Sequence, residues 1–212
     1  IKFAILNANT AREQSINNNH KFIALDIGPL GRLLKPFGDL DFEDAVGIFA
    51  KTVKLGTKYG AELIIIETMN DSYETKAALL AVKENSDLPV IVTNAYGADG
   101  KLMTGASPEA MVAMLEGMGA DAIGANCSLG PRQLAGVVKE YLEYASVPVL
   151  LKPNAGLPDP ATGAYSIGPE EFAQQMRPYS ELGVSIMGGC CGTDPEFIRN
   201  LSEVIPVPAN RT

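Results

Sequence analysis

The chain contains three cysteines, and each falls where a short apolar run gives way to glycine. Cys127 sits in Gly-Ala-Asn-Cys-Ser-Leu-Gly-Pro (124–131), and Cys190 and Cys191 adjoin in Met-Gly-Gly-Cys-Cys-Gly-Thr (187–193). Glycines on both sides of the pair free the backbone to turn, so both sulfurs can face one point. Three thiolates with a fourth position open match a catalytic zinc site, because structural sites close with four protein ligands. Soft sulfur donors also select zinc or Cu(I) over magnesium or calcium. The competing reading is three buried structural thiols, or a disulfide within the adjacent pair, since free cysteine often serves as a small hydrophobe. Zinc held by three thiolates is net negative and makes hydroxide from water poorly. It suits a substrate thiol instead. Coordination removes the thiol proton, and the electron-rich centre leaves the sulfur nucleophilic near neutral pH. The chemistry these residues suggest is activation of a substrate thiol for alkyl transfer.

Something must bring the cysteines together, and the surrounding pattern supplies it. Apolar runs at 22–27, 63–66, 89–92, 120–125, 147–151 and 184–187 are rich in Ile, Val, Leu or Ala with little alternation of polarity, as in parallel strands covered on both faces. Helical periodicity fills the intervals at 42–59, 72–85, 108–118, 131–145, 169–182 and 195–204, and residues 1–13 also read as helix. Asp71 and Glu74 fit a capping box. Pro108, Pro169 and Pro195 stand at first helical positions, and Gly60, Gly119 and Gly183 follow helices as left-handed caps. Polar residues mark each strand end: Asp26, Glu67, Asn94, Asn126 with Cys127, Asn154, and Cys190 with Cys191. Their spacing is roughly 30–40 residues, the size of a βα unit. Polar groups at every strand end favour a (β/α)8 barrel, whose site is built from all of them, over a doubly wound sheet, which binds only near its switch point.

The 212 residues are 46% apolar and 20% charged, enough to bury a core and too apolar for a disordered chain. No apolar stretch approaches the ~18 residues of a membrane span. A net charge of −8 argues against a nucleic-acid surface. An odd, small number of cysteines argues against a disulfide scaffold and for a reducing, cytoplasmic compartment. One domain is expected over 1–205, with 206–212 an extended exit or linker through Pro206 and Pro208.

Of the remaining polar residues, Glu67 ends an apolar strand, where a carboxylate is costly unless it meets a cation; a substrate ammonium would supply one, and a salt-bridged rim acid is the bland alternative. Asn154 follows a proline and either offers zinc a neutral oxygen before substrate binds or braces the rim. Asn126, by alternation from Cys127, should point away from the metal, as a hydrogen-bonding support or a substrate contact. Asp26 is expected to bond loop amides. Lys152 raises the possibility of a Schiff-base lyase, set against a surface or structural use. The lone His20 is read as a solvated loop residue after 17–19. Met111, Met114 and Met118 recur at helical spacing, as core residues do. The glycines fit neither a dinucleotide fingerprint nor a P-loop.

The two cysteine motifs, together with Lys-Pro-Asn-Ala-Gly (152–156), Asp-Ile-Gly-Pro-Leu-Gly (26–31) and Ile-Glu-Thr-Met (66–69), resemble the homocysteine S-methyltransferase domain family, nearest in pattern to the homocysteine-binding module of cobalamin-dependent methionine synthases. The resemblance runs over about 22–201. It implies a (β/α)8 barrel, zinc held by Cys127, Cys190 and Cys191, homocysteine as methyl acceptor, and Glu67 on the substrate amino group. It also implies that the visible strands are the third to eighth of the barrel, with two βα units, about 60–80 residues, absent before residue 1. The chain lacks the Asp-x-His-x-x-Gly corrinoid motif. A methyl-corrinoid would therefore be supplied by another domain or protein, or the donor would be a methyl-sulfonium. The alternatives are a non-catalytic thiol- or zinc-binding barrel module and the Lys152 lyase.

Overall fold

The structure, a computed structural model, describes residues 1–16 and 20–205. The loop expected at 17–19 and the exit expected at 206–212 lie outside the described residues. Helix α1 (Lys2–Glu13) precedes β1 (Ala24–Ile27), and βα units follow in order: α2 (Phe42–Lys58), β2 (Leu63–Met69), α3 (Ser72–Asn85), β3 (Val90–Asn94), α4 (Pro108–Gly117), β4 (Ala122–Asn126), α5 (Ala135–Tyr144), β5 (Val149–Lys152), α6 (Pro169–Leu182), β6 (Ile186–Met187) and α7 (Pro195–Val204).

The described strands form one sheet of six, all parallel and in sequential order. A doubly wound sheet would break that order at a switch point. Alternate residues of β1 to β5, among them Ile64, Ile66, Val92, Ile123 and Leu151, are buried in the core. The intervening residues, including Asp26, Ile65, Glu67 and Lys152, look into the other face and are less covered. Two strands separate β2 from β5, about 14 Å in a flat sheet, yet Glu67 on β2 forms an ion pair with Lys152 on β5. The sheet must therefore curl, with its helices outside, as the wall of a TIM-type barrel does. This is the expected fold class.

Side-chain caps mark the starts of α3, α4 and α7. Ser107 Oγ accepts from the Ala110 amide at 3.3 Å, and Asp194 Oδ1 accepts from Glu196 at 2.8 Å and Phe197 at 3.4 Å. Two local expectations differ. Asp71 Oδ1 accepts from Tyr73 N at 2.8 Å, while the buried Glu74 leaves the capping box and accepts from Leu30 N at 2.7 Å, stitching α3 to the loop after β1. The helix expected from 131 begins at Ala135, and the Pro131 carbonyl accepts instead from the Tyr179 hydroxyl at 2.6 Å. At the chain start, Arg12 bonds Glu62 at 2.7 Å and the Lys21 carbonyl at 3.2 Å, tying α1 beneath β1. Met111 is buried, and Met114 and Met118 pack against the core.

Gly124, in the middle of β4, lies so close to β5 that an added Cβ would run into the Leu150 carbonyl. Gly124→Ala is expected to lower stability by about 2 kcal/mol, read as a reduced urea midpoint; an unchanged midpoint would show that the two strands can part.

Candidate metal centre

The backbone turns sharply as β4 ends. Cys127 and Ser128 both take left-handed conformations, with φ of 60° and 56°, unusual for side chains other than glycine, asparagine or aspartate. Three contacts maintain that turn: Cys127 N donates to the Lys152 carbonyl at 3.0 Å, Leu129 N donates to the Cys127 carbonyl at 2.7 Å, and Ser128 Oγ bonds the Tyr96 carbonyl at 2.8 Å. The Cys190–Cys191 segment is splinted by the loop after β5. Cys190 N donates to the Pro153 carbonyl at 2.9 Å, Ala155 N to the Cys191 carbonyl at 2.9 Å, and Cys191 N to Asn154 Oδ1 at 3.1 Å. Held this way, Cys127 Sγ and Cys191 Sγ stand 3.6 Å apart. All three sulfurs lie within 4.8 Å of one another, and all three cysteines are free of disulfides.

These residues pass the test for zinc. Sulfurs bound to one tetrahedral ion at about 2.3 Å are separated by roughly 3.8 Å, close to the observed separation. Electrostatics point the same way. Burial first, then the neighbouring Cys127, push the Cys190 thiol up to about 12, so three thiolates side by side need a cation. Cys127 and Cys190 are half-buried and Cys191 is exposed, so the cluster opens toward solvent.

Asn126 is completely buried, and its direction differs from the sequence expectation: Nδ2 lies 3.8 Å from Cys190 Sγ. Its Oδ1 accepts from Thr68 N at 2.8 Å and Thr93 Oγ1 at 2.7 Å, and Nδ2 also donates to Thr68 Oγ1 at 2.7 Å. The expected substrate contact by Asn126 thus meets an amide already committed at both ends. Strand alternation stops at Asn126 because the chain turns there, with Cys127 already in the left-handed region. Asn154 is buried too, with its oxygen on the Cys191 amide. That is the bracing alternative, rather than an oxygen facing the sulfurs. Asn94 turns aside, donating to the Met69 carbonyl at 3.1 Å and Thr75 Oγ1 at 3.0 Å.

Glu67 ends the regular part of β2, where the register with β3 shifts and Thr68 takes a φ of 62°. Its partner is Lys152, which is the salt-bridged alternative for Glu67 and a structural use of Lys152. Asp26 faces this pair rather than the loop amides expected for it. Crowding on its inner side is the main cause holding its pKa above the usual carboxylate range; Glu67 adds to the rise and Lys152 opposes it. Tyr165 escaped the sequence reading. Its ring packs where a Gly192 side chain would stand, and burial, followed by the neighbouring Cys191, raises its hydroxyl pKa. A tyrosine in a loop remote from both cysteine motifs gives no signal until the loop folds over them.

Together, a sequential parallel barrel wall and a three-thiol cluster at its C-terminal rim define an α/β barrel protein with a thiol-based, metal-competent site. The chain matches the family model described as homocysteine S-methyltransferase over residues 2–205, and it belongs to that family. It is 30% identical over 203 residues to the methionine synthase of Mycobacterium leprae (strain TN), covering 92% of this chain and 17% of that protein. It is 34% identical over 154 residues to the methionine synthase of Mycobacterium tuberculosis (strain ATCC 25618 / H37Rv), covering 69% and 13%. The chain therefore spans less than one fifth of the length of these relatives. The homocysteine methyltransferase MmuM from Escherichia coli shares the fold at 19% identity: TM-score 0.80 for its metallated form, with 95% of this chain and 69% of that one covered, and 0.77 for its apo form, with 95% and 71%.

Because the sulfurs must ionise to bind metal, zinc uptake should release protons and strengthen as pH rises. The sign follows from the raised Cys190 value: below it the thiol is protonated, and the metal must displace that proton. Calorimetry in buffers of different ionisation enthalpy measures the release; uptake independent of pH would place the metal elsewhere. Asn126→Ala, which strands the Thr68 amide, is expected to cost about 2 kcal/mol in stability by denaturant titration.

Proposed function

We propose that this chain binds homocysteine and presents its thiol, as the thiolate, to a methyl donor, forming methionine. The observation that supports this most is the convergence of three thiols at the rim, with the inward-facing Glu67 placed among the same strand ends. Family membership and the methionine synthase relatives support the acceptor and the product. Cys127, Cys190 and Cys191 would hold zinc, which when bound supplies a fourth position at which a substrate thiol stays deprotonated at neutral pH.

The chain's own residues do the rest. Asn126 keeps Cys190 in place by linking it to Thr68 and Thr93, and Asn154 does the same for Cys191 through its amide. Glu67 offers its carboxylate to the substrate ammonium. Exposure of Cys191 leaves the cluster open to an approaching donor. The donor we favour is a methyl-corrinoid carried by another domain or protein, because the only histidine is His20 and the chain has no corrinoid motif. No described helix is long and apolar enough to cross a membrane, and free thiols suit a reducing, cytoplasmic setting.

The deciding experiment is addition of homocysteine to zinc-loaded protein with proton release followed by calorimetry. About one proton per site is expected. Cys127→Ala should lose zinc at micromolar chelator, with homocysteine binding lost along with it. Full zinc retention by that variant would overturn the metal assignment, and zinc-loaded protein that ignores homocysteine would reduce the chain to a metal-binding module.

A further inference from the structure

Two tyrosines are fully buried and have no part in the chemistry proposed above: Tyr96, in the loop after β3, and Tyr141, on α5. Their rings meet edge to face at 6.0 Å, and their hydroxyls are 2.8 Å apart. Two phenylalanines would fill much the same apolar volume, and a buried hydroxyl is costly unless it is bonded. The paired hydroxyls therefore add position rather than burial. Backbone bonds from Ala95 N to the Met69 carbonyl and from Gly97 N to the Lys101 carbonyl flank Tyr96. The hydroxyl pair anchors the residue between them to α5.

Tyr96 also reaches the start of the segment that leaves the first cysteine. Ser128 Oγ shares its proton between the Tyr96 and Cys127 carbonyls, each at 2.8 Å. Segment 128–141 is thus tied to Tyr96 at both ends, by the Tyr96 carbonyl at Ser128 and by the Tyr96 hydroxyl at Tyr141. The need for such a tie is local. Cys127 and Ser128 are consecutive left-handed residues, a conformation that crowds Cβ against the following carbonyl oxygen. Strain of this kind persists only where neighbouring bonds over-determine it. A relaxed turn would carry the Cys127 sulfur away from that of Cys191, which stands 3.6 Å from it.

We propose that Ser128, Tyr96 and Tyr141 are positioning residues for the metal ligand Cys127. The hydroxyl pair fixes Tyr96, the Tyr96 carbonyl holds Ser128 Oγ, and that bond keeps the turn in the conformation that presents Cys127 Sγ to Cys190 and Cys191. Metal then meets ligands already assembled, and its affinity depends on the groups that assemble them. This rests on the metal reading of the three cysteines.

The test combines zinc affinity by chelator competition with the thiolate-to-metal absorption of the cobalt(II)-loaded protein. Ser128→Ala is expected to bind zinc about 10-fold more weakly than the parent, with a displaced cobalt absorption. Tyr141→Phe keeps the ring that fills the core and should move both readouts the same way by a smaller factor. Ser146→Ala is the control: it removes a hydroxyl bonded to Glu116 Oε2 at 2.6 Å, before β5 and so at the opposite end of the strands. Its zinc affinity and cobalt absorption should equal the parent's. Parent values in either Ser128→Ala or Tyr141→Phe would overturn the positioning role and leave the metal reading standing, as would an equal loss in Ser146→Ala. Tyr141→Phe decides the matter if Ser128→Ala does not fold. A parent protein that takes up no zinc would overturn both.

Discussion

Asn126 is the buried polar group on which the geometry of the rim depends. Its amide reaches Thr68 at the end of β2, Thr93 near the end of β3 and the Cys190 sulfur beyond β6, all from the last residue of β4. A buried amide is costly unless every donor and acceptor is used, so the curl of the sheet at this level is tightly specified. Thr68, Cys127 and Ser128, the non-glycine residues with positive φ, lie on or beside this network. Strained backbone of this kind persists where the surrounding bonds over-determine it.

The electrostatics are those of a site rich in acidic groups. Three thiols converge, and Glu67 and Asp26 stand on the same inward face, with Lys152 beside them. Such a cluster is suited to ligands that bring positive charge. A metal ion would meet the sulfurs, and an ammonium the carboxylates. A chemistry that acts on a thiol, read from the cysteines, is of the kind that the family's description names.

Much of this was legible in order along the chain. Apolar runs and helix caps marked the βα units, because burial on both faces and orphan amides at helix starts leave local signatures. Boundaries shifted where a tertiary partner intervened. Pro131 surrendered its carbonyl to Tyr179, which delayed α5, and Glu74 left its expected cap for Leu30. The side chains of Asn126 and Asn154 are ambiguous in the sequence because an amide's partners are not in its own segment. Asn126 finds Thr68 at a separation of 58 residues, and Lys152 finds Glu67 at 85.

By itself, then, the sequence determined the parallel α/β class, the three candidate metal ligands and the chemistry that three thiols permit, since each follows from residue type and local pattern. The tertiary structure decided which groups meet. It placed the three sulfurs within 4.8 Å, turned Asn126 toward Cys190, engaged Asn154 with the Cys191 amide, set Tyr165 against Gly192, and paired Glu67 with Lys152. The physical reason is the curl of the sheet. Side-chain direction at a strand end depends on how the chain leaves the strand, and contacts across a barrel depend on curvature; neither is encoded in any single stretch of residues.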